Sequence, residues 1–199
     1  KEYFFIKDAA GLVSQVQLGT LEFHIWGSQA RKLEKPDMMV FDLDPDEGMG
    51  LAQIRQGVRE LLEVLTELSL ESFLKTSGGK GYHVVVPLMP GASWDKFYDF
   101  AKGVARLMSG QWPERYTDNV RKARRKGKIF IDALRNGRGA TSVAPYSLRA
   151  RSGAPVSMPI GWDELDSTAP DGIKMKNALD RLAAPDPWAG YFEIKQRLK

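Results

Sequence analysis

Apolar residues recur along this chain with two different periods. Leu51, Ile54, Val58, Leu61, Leu62, Leu65 and Leu68 fall mostly three or four apart, which predicts an amphipathic helix over Leu51–Leu68. A second helical stripe carries Phe97, Phe100, Ala101, Val104, Leu107 and Met108, behind Ser93 as a helix cap. Short runs rich in β-branched and aromatic residues predict strands at Tyr3–Ile6, Leu12–Leu18, Leu21–Trp26, Met38–Asp44, Glu71–Thr76, Tyr82–Leu88 and Lys128–Leu134. A further short strand is expected at "ATSVAP", and helices near Trp162–Leu165, Lys174–Leu182 and Trp188–Leu198. From Met38 to Leu134 the order is β-α-β-β-α-β, the split-βαβ arrangement of a mixed α/β (α+β) sheet with two helices on one face. In it the first and third strands are central neighbours, and the last lies at one edge beside the first. No internal repeat or linker divides the chain, so one domain over residues 1–199 is expected, with its core at about 38–134.

Composition narrows the function classes. The chain is 43% hydrophobic and 27% charged, an ordinary globular balance that can bury a real core. It has no cysteine, which excludes a disulfide framework and thiolate metal sites and favours a reducing compartment. No apolar run is long enough to span a bilayer, and the start "KEYFFIKDAAG" lacks a signal-peptide core, so no membrane partner is expected. The net charge of +4 is modest but unevenly spread: "RKARRKGK", Arg121 to Lys128, holds six basic residues in eight. Arg135, Arg138, Arg149 and Arg151 follow it. Concentrated positive charge suits a polyanion such as nucleic acid or nucleotide phosphates, or else forms a solvated loop.

"MMVFDLDP" sets two carboxylates at the end of an apolar strand. Residues i and i+2 of a strand face the same side, so Asp42 and Asp44 converge while Leu43 faces the helices. Asp132, in "IFIDAL", falls on the strand expected beside them. Three carboxylates on one sheet face repel one another unless cations intervene, and all-oxygen ligation selects Mg²⁺ or Mn²⁺. Two such ions a few ångströms apart serve in-line phosphoryl and nucleotidyl transfer. The plain alternative is a strand that ends in a "DPDEG" turn.

"SGGKGYH", Ser77 to His83, is the second element. Gly78, Gly79 and Gly81 allow a sharp turn that presents backbone N–H groups to an anion, with a hydroxyl from Ser77 and a charge from Lys80. The GxxxxGK[ST] spacing of a Walker A loop is absent, and a simple glycine hairpin is the alternative. The two histidines, His24 and His83, both lie in apolar strands, where a neutral imidazole can donate to a phosphate oxygen.

"EFHIWGS", "VFDLDP", "KTSGGKGYHVVVPL", "IFIDALRN" and "ATSVAPYSLRARSGAPVSMPIGWDEL" together resemble the polymerase module of bacterial DNA ligase D, within the archaeo-eukaryotic primase superfamily. The resemblance runs from about Leu21 to Trp188. It implies a primase-type catalytic core around an RRM-like βαββαβ unit. It also implies nucleotide addition at DNA 3′ ends in non-homologous end joining, with ribonucleotides and manganese preferred. By the same resemblance Asp42, Asp44 and Asp132 would ligate two Mn²⁺ or Mg²⁺ ions. His24, Ser77, Gly78, Lys80, His83, Arg125, Arg149 and Arg151 would hold the incoming NTP or dNTP, with Arg135 near the same pocket. Implied partners are a DNA template and primer, a linked ligase module and a Ku-type end-binding protein, in the nucleoid-associated cytoplasm of a bacterium. The family's module carries roughly ninety further residues before this starting point, within the ordinary size of one domain. They supply DNA 5′-phosphate contacts and base stacking, so weak end binding is expected. The KxDG motif of ATP-dependent ligases does not occur, and nick sealing is not expected.

Other readings make distinct demands. A binding-only or inactive RRM-like module would place aromatics on the open sheet face for base stacking. A phosphohydrolase built on an aspartate nucleophile would need a parallel, doubly wound sheet.

Overall fold

The computed structural model describes residues 2–198. In chain order its regular elements are α1 (Ala9–Gln17), β1 (His24–Trp26), β2 (Met38–Pro45), α2 (Leu51–Glu67), β3 (Phe73–Thr76), β4 (Tyr82–Pro87) and α3 (Trp94–Gln111), followed by β5 (Tyr116–Thr117), β6 (Ile129–Asp132), β7 (Thr141–Val143), β8 (Pro159–Ile160) and α4 (Met175–Leu182). The main sheet has the order β5-β6-β2-β4-β3-β8, and β1 pairs with β7 in a separate two-stranded sheet. Strands β2, β4, β3 and β6 are mutually antiparallel where they pair. That is the expected split-βαβ sheet, and it is incompatible with the parallel sheet of an aspartate-nucleophile phosphatase.

The period-2 pattern sorts the two faces. Met39, Phe41 and Leu43 of β2, with Tyr82, Val84 and Val86 of β4, share one core with Ile54, Val58, Leu61 and Leu65 of α2 and Phe97, Ala101, Val104 and Met108 of α3. Both helices therefore cover one face. On the other face Val40 and Val85 pack under Trp188, with Phe73 and Tyr191 beside them. Asp42 and Asp132 lie on that same face, in a polar row with His83 and Lys75. α2 approaches closely because residue 57 is glycine: a Cβ there would lie 2.9 Å from Ile129 Cδ1. Ser93 caps α3 by accepting from Lys96 N at 3.3 Å.

Several expectations change. Leu12–Leu18 is not a strand: Leu12 to Gln17 lie in α1, where Asp8 accepts from Gly11 N at 3.0 Å as the N-cap. Leu12, Val13 and Val16 fit helical spacing as well as a strand run, and the cap decides. Tyr3–Ile6 has no strand partner, and only His24–Trp26 of the Leu21–Trp26 run is paired. Leu107 is half exposed, because it sits roughly 100° round α3 from Met108. The Trp162–Leu165 segment is one 3₁₀ turn, and the Trp188–Leu198 helix reduces to a 3₁₀ turn at Tyr191–Glu193. Strand β6 is not an edge, since the two-residue β5 runs parallel beyond it. Where β6 has ended, the Asn136 amide stands in for it: Nδ2 donates to Val40 O and Oδ1 accepts from Val40 N, each at 2.8 Å. No helix among the described residues is long and apolar enough to cross a membrane.

Candidate active site

The strand registers build a polar row across the sheet. Lys75 of β3 pairs with His83 of β4, His83 with Asp42 of β2, and Asp42 with Asp132 of β6. All four side chains lie on the face away from α2 and α3. Asp44, two residues beyond Asp42, shares that face opposite Phe130 and opens to solvent.

Each carboxylate meets a cation. Arg135 places its NH2 atom 3.3 Å from Asp42 Oδ2 and its Nε 3.3 Å from Asp132 Oδ2, so the guanidinium spans the two acids. Arg125 lies with NH1 3.3 Å from Asp44 Oδ2 and its charged head 3.6 Å from the centre of the Phe130 ring. Among the described residues no three acidic or histidine side chains converge at metal-ligand spacing. The acids are neighbours held by guanidinium groups rather than gathered on one point.

The electrostatics of the row are uneven. Burial alone would push the Asp42 carboxyl up, but His83, Arg135 and Lys75 more than reverse that and hold it at about 2. Asp44 is raised by burial and by the charge of Asp42, with Arg125 opposing. Asp132 is raised by burial, although Leu134 N donates to its Oδ1 at 2.8 Å. Burial and the neighbouring Lys75 lower His83, whose Nε2 lies 3.4 Å from Asp42 Oδ1 and whose Nδ1 is buried without a partner. Lys75 is only 1% exposed. Burial brings its ammonium down to about 7, and Nζ donates to Ser157 Oγ at 2.6 Å.

Beside the row lies the glycine-rich turn. Gly78 has φ +65, and a Cβ there would lie 2.6 Å from Arg149 Cγ, so glycine lets the loop and the arginine share the space. A Cβ on Gly81 would lie 2.1 Å from Leu43 O, which fixes the turn against β2. Ser77 Oγ accepts from Gly79 N at 3.1 Å, and Arg149 donates from NH1 to Ser77 O at 2.5 Å. Glu22 is the organiser that the sequence reading missed. It accepts from Arg149 Nε at 2.9 Å, from Ala150 N at 2.9 Å and meets His24 Nε2 at 2.6 Å. Burial opposes its charge, but these contacts outweigh it and lower its carboxyl.

One cavity of about 340 Å³ gathers most of the predicted residues: His24, Asp42, Asp44, Ser77, Lys80, His83, Arg135, Arg149 and Arg151 line it. Asp132, Arg125 and Gly78 do not. Asp132 joins it through Arg135, Arg125 through Asp44, and Gly78 through Arg149. Lys75 was also missed. Its only signal was a lysine inside the apolar strand "FLKT", where a charged side chain has no solvent face. Ser142, on the cavity wall, carried no signal of its own.

Acids registered across a split-βαβ sheet, with a glycine-rich turn beside them, define a primase-type fold. The LigD primase-polymerase domain family matches residues 1–188, and this chain belongs to it. It is 44% identical, over 97% of its length, to the multifunctional non-homologous end joining protein LigD of Pseudomonas aeruginosa. It is 34% identical over 90% of its length to the protein of the same name from Mycolicibacterium smegmatis. The chain spans 24% of each of these two relatives. Among solved structures, the polymerase domain of Mycobacterium tuberculosis ligase D in complex with DNA matches at a TM-score of 0.82 and 32% identity, over 92% of this chain and 67% of that one.

Proposed function

We propose that this chain is the catalytic core of a metal-dependent nucleotidyltransferase that adds nucleotides, ribonucleotides in preference, to DNA 3′ ends in non-homologous end joining. One observation carries the reading: the Asp42 end of a cross-strand acid pair opens into the same cavity as a glycine-rich turn backed by Arg149 and Arg151. The family, and the complex of the solved relative with DNA, support it.

The donor chemistry of the acids suits divalent cations, with Arg125 and Arg135 on the carboxylates that the ions would engage. The acidic donors are all oxygen, Asp42 is held ionised, and a guanidinium neutralises the space between Asp42 and Asp132. Hard oxygen donors select Mn²⁺ or Mg²⁺. Asp42, Asp44 and Asp132 would hold two ions, and the bound ions would supply Lewis-acid activation and charge neutralisation at the reacting phosphate. The protein's own groups do the rest. Arg149 and Arg151 present planar forks that match phosphate oxygens, and Glu22 aims the first of them. Ser77 and Lys80 add a hydroxyl and an ammonium from the turn. His83, held neutral by burial, keeps one ring N–H to donate. The primer 3′-hydroxyl gives up its proton to water as its oxygen bonds to the α-phosphorus, the α–β P–O bond breaks, and pyrophosphate leaves with the electron pair.

A binding-only module would need an aromatic platform on this face. Phe130, opposite Asp44 on this face, is 3% exposed beneath Arg125. Because the relatives carry much more chain, the domain would act beside a ligase module and an end-bound Ku-type protein. The test is Mn²⁺-dependent incorporation of a labelled ribonucleotide at a recessed 3′ end, with deoxynucleotide and Mg²⁺ as comparisons. Incorporation that vanishes in folded Asp42→Ala and Asp132→Ala supports the reading. Incorporation unaffected by either substitution overturns it.

A further inference from the structure

A second cavity, of about 840 Å³, adjoins the first, and Arg151 stands on the wall of both. Its other cationic lining residues are Lys174 and Lys176, and no carboxylate lines it. None of these three residues makes a salt bridge among the described residues, whereas Arg125, Arg135, Arg138 and Arg149 are all paired. This concavity next to the nucleotide cavity thus carries three positive charges with no salt-bridge partner among the described residues.

The connection between the cavities is built, not incidental. A Cβ on Gly79 would lie 3.2 Å from Arg151 NH1, so the guanidinium rests on the glycine-rich turn. Arg151 opens a tight turn closed by Ala154 N donating to Arg151 O at 2.9 Å. Gly153 at φ +78 and Ala154 at φ 42 are both left-handed, and for alanine that conformation is strained. The turn is pinned by the bridge between Pro155 and Lys174 and by Met175 N donating to Ala154 O at 2.9 Å. Lys174 folds back over it: a Cβ on Gly153 would lie 3.1 Å from Lys174 Nζ. A strained turn therefore sets one arginine on the nucleotide side and one lysine on the far side.

We propose that this cavity is the departure site for inorganic pyrophosphate, passed by Arg151 from the nucleotide cavity to Lys174 and Lys176. The proposal rests on the nucleotidyl-transfer reading above. Pyrophosphate is a compact, highly charged anion whose recognition needs cations and no stacking surface. The cavity wall has three cationic side chains and no aromatic one. A single strand of nucleic acid, by contrast, is held along an extended groove with aromatic platforms.

Calorimetric titration of inorganic pyrophosphate, without DNA or turnover, tests the site. In the Lys174→Ala/Lys176→Ala double variant, pyrophosphate affinity should fall about tenfold, as charge-assisted phosphate contacts are lost. Affinity for a non-hydrolysable nucleoside triphosphate should change less than about twofold, and Lys174→Arg/Lys176→Arg should keep pyrophosphate binding. A thermal melt confirms that both variants are folded. Unchanged pyrophosphate affinity overturns the proposal, and so does an equal loss for pyrophosphate and triphosphate, which would make the cavity part of the nucleotide site. Failure of the polymerase reading shows separately, in the incorporation assay of the unsubstituted chain.

Discussion

Asp42 on β2 stands directly opposite Asp132 on β6, and the two carboxylates share a single guanidinium. Like charges at directly opposed positions destabilise a sheet. Here Arg135, three positions after Asp132, offsets the repulsion, so one acid and the counter-ion come from one stretch of sequence while Asp42 comes from another. A divalent cation would compete for the same space. Replacing Arg135 by Met should therefore destabilise the cation-free fold by about 1 kcal/mol, a modest figure because the guanidinium is partly solvated. Adding Mn²⁺ should raise the melting temperature of Arg135→Met more than that of the unsubstituted protein. Equal Mn²⁺ shifts in the two proteins would show that Arg135 does not stand in for a cation.

Lys75 makes a prediction about pH. Its folded-state pKa, about 7, lies below the unfolded value of 10.5, so between these pH values the unfolded chain binds a proton that the folded chain does not. Stability contributed by this group therefore rises as pH increases from about 7 toward 10.5, by up to about 1 kcal/mol per pH unit. Lys75→Met should flatten that rise in urea denaturation curves between pH 7 and pH 9. Asp42 acts at the other end. Its depressed pKa adds stability that is present above 3.8 and lost as pH falls through about 2. A Lys75→Met profile that parallels the parent over the alkaline range would contradict the assignment.

Glu22 positions two residues of the proposed nucleotide site at once, since His24 and Arg149 both meet its Oε1. Glu22→Gln keeps the shape but weakens both charge-assisted contacts. It should lower triphosphate affinity about tenfold, close to the cost of one such hydrogen bond. Arg149→Ala should cost more. Arg138 serves as the comparison: it pairs with Glu34 and Tyr3 and does not line the nucleotide cavity, so Arg138→Ala should leave triphosphate affinity unchanged. Equal losses in Arg138→Ala and Arg149→Ala would point to a diffuse basic surface instead of a pocket.

The elements legible in the sequence are those with strong periods. α2 and α3 follow their apolar stripes, and β2, β4 and β6 follow their buried runs, so the registers that align Asp42 with His83 and Asp132 were within reach. The elements that went astray are short or locally ambiguous. α1 buries none of its residues, so its apolar pattern carried no core signal, and β5 is two residues long. Glu22 and Lys75 escaped for another reason. Their roles depend on partners more than eighty positions away in sequence, Arg149 and Ser157, which only the folded chain brings together. Arg135 was placed near the pocket, but its bridging of two acids depends on the 3₁₀ turn that follows β6.

The basic segment Arg121–Lys128 divides into two groups, which sharpens the expectation for DNA. Arg125 is committed to Asp44 and the Phe130 ring, and Lys128 donates to Pro113 O at 2.7 Å. Arg121, Lys122, Arg124 and Lys126 make no salt bridge among the described residues, and the first three surround a 3₁₀ turn at the surface. If the segment tracks a phosphate backbone, those four residues displace counterions and the other two do not. Replacing the four by Ala should then reduce the slope of log affinity against log salt by roughly 3, at about 0.7 to 0.9 per phosphate contact. Triphosphate affinity should be retained, because none of the four lines the nucleotide cavity. Anisotropy titrations of a labelled recessed DNA at several salt concentrations give the slope directly. A slope unchanged by the four substitutions would remove this segment from the DNA path and leave it a solvated basic loop.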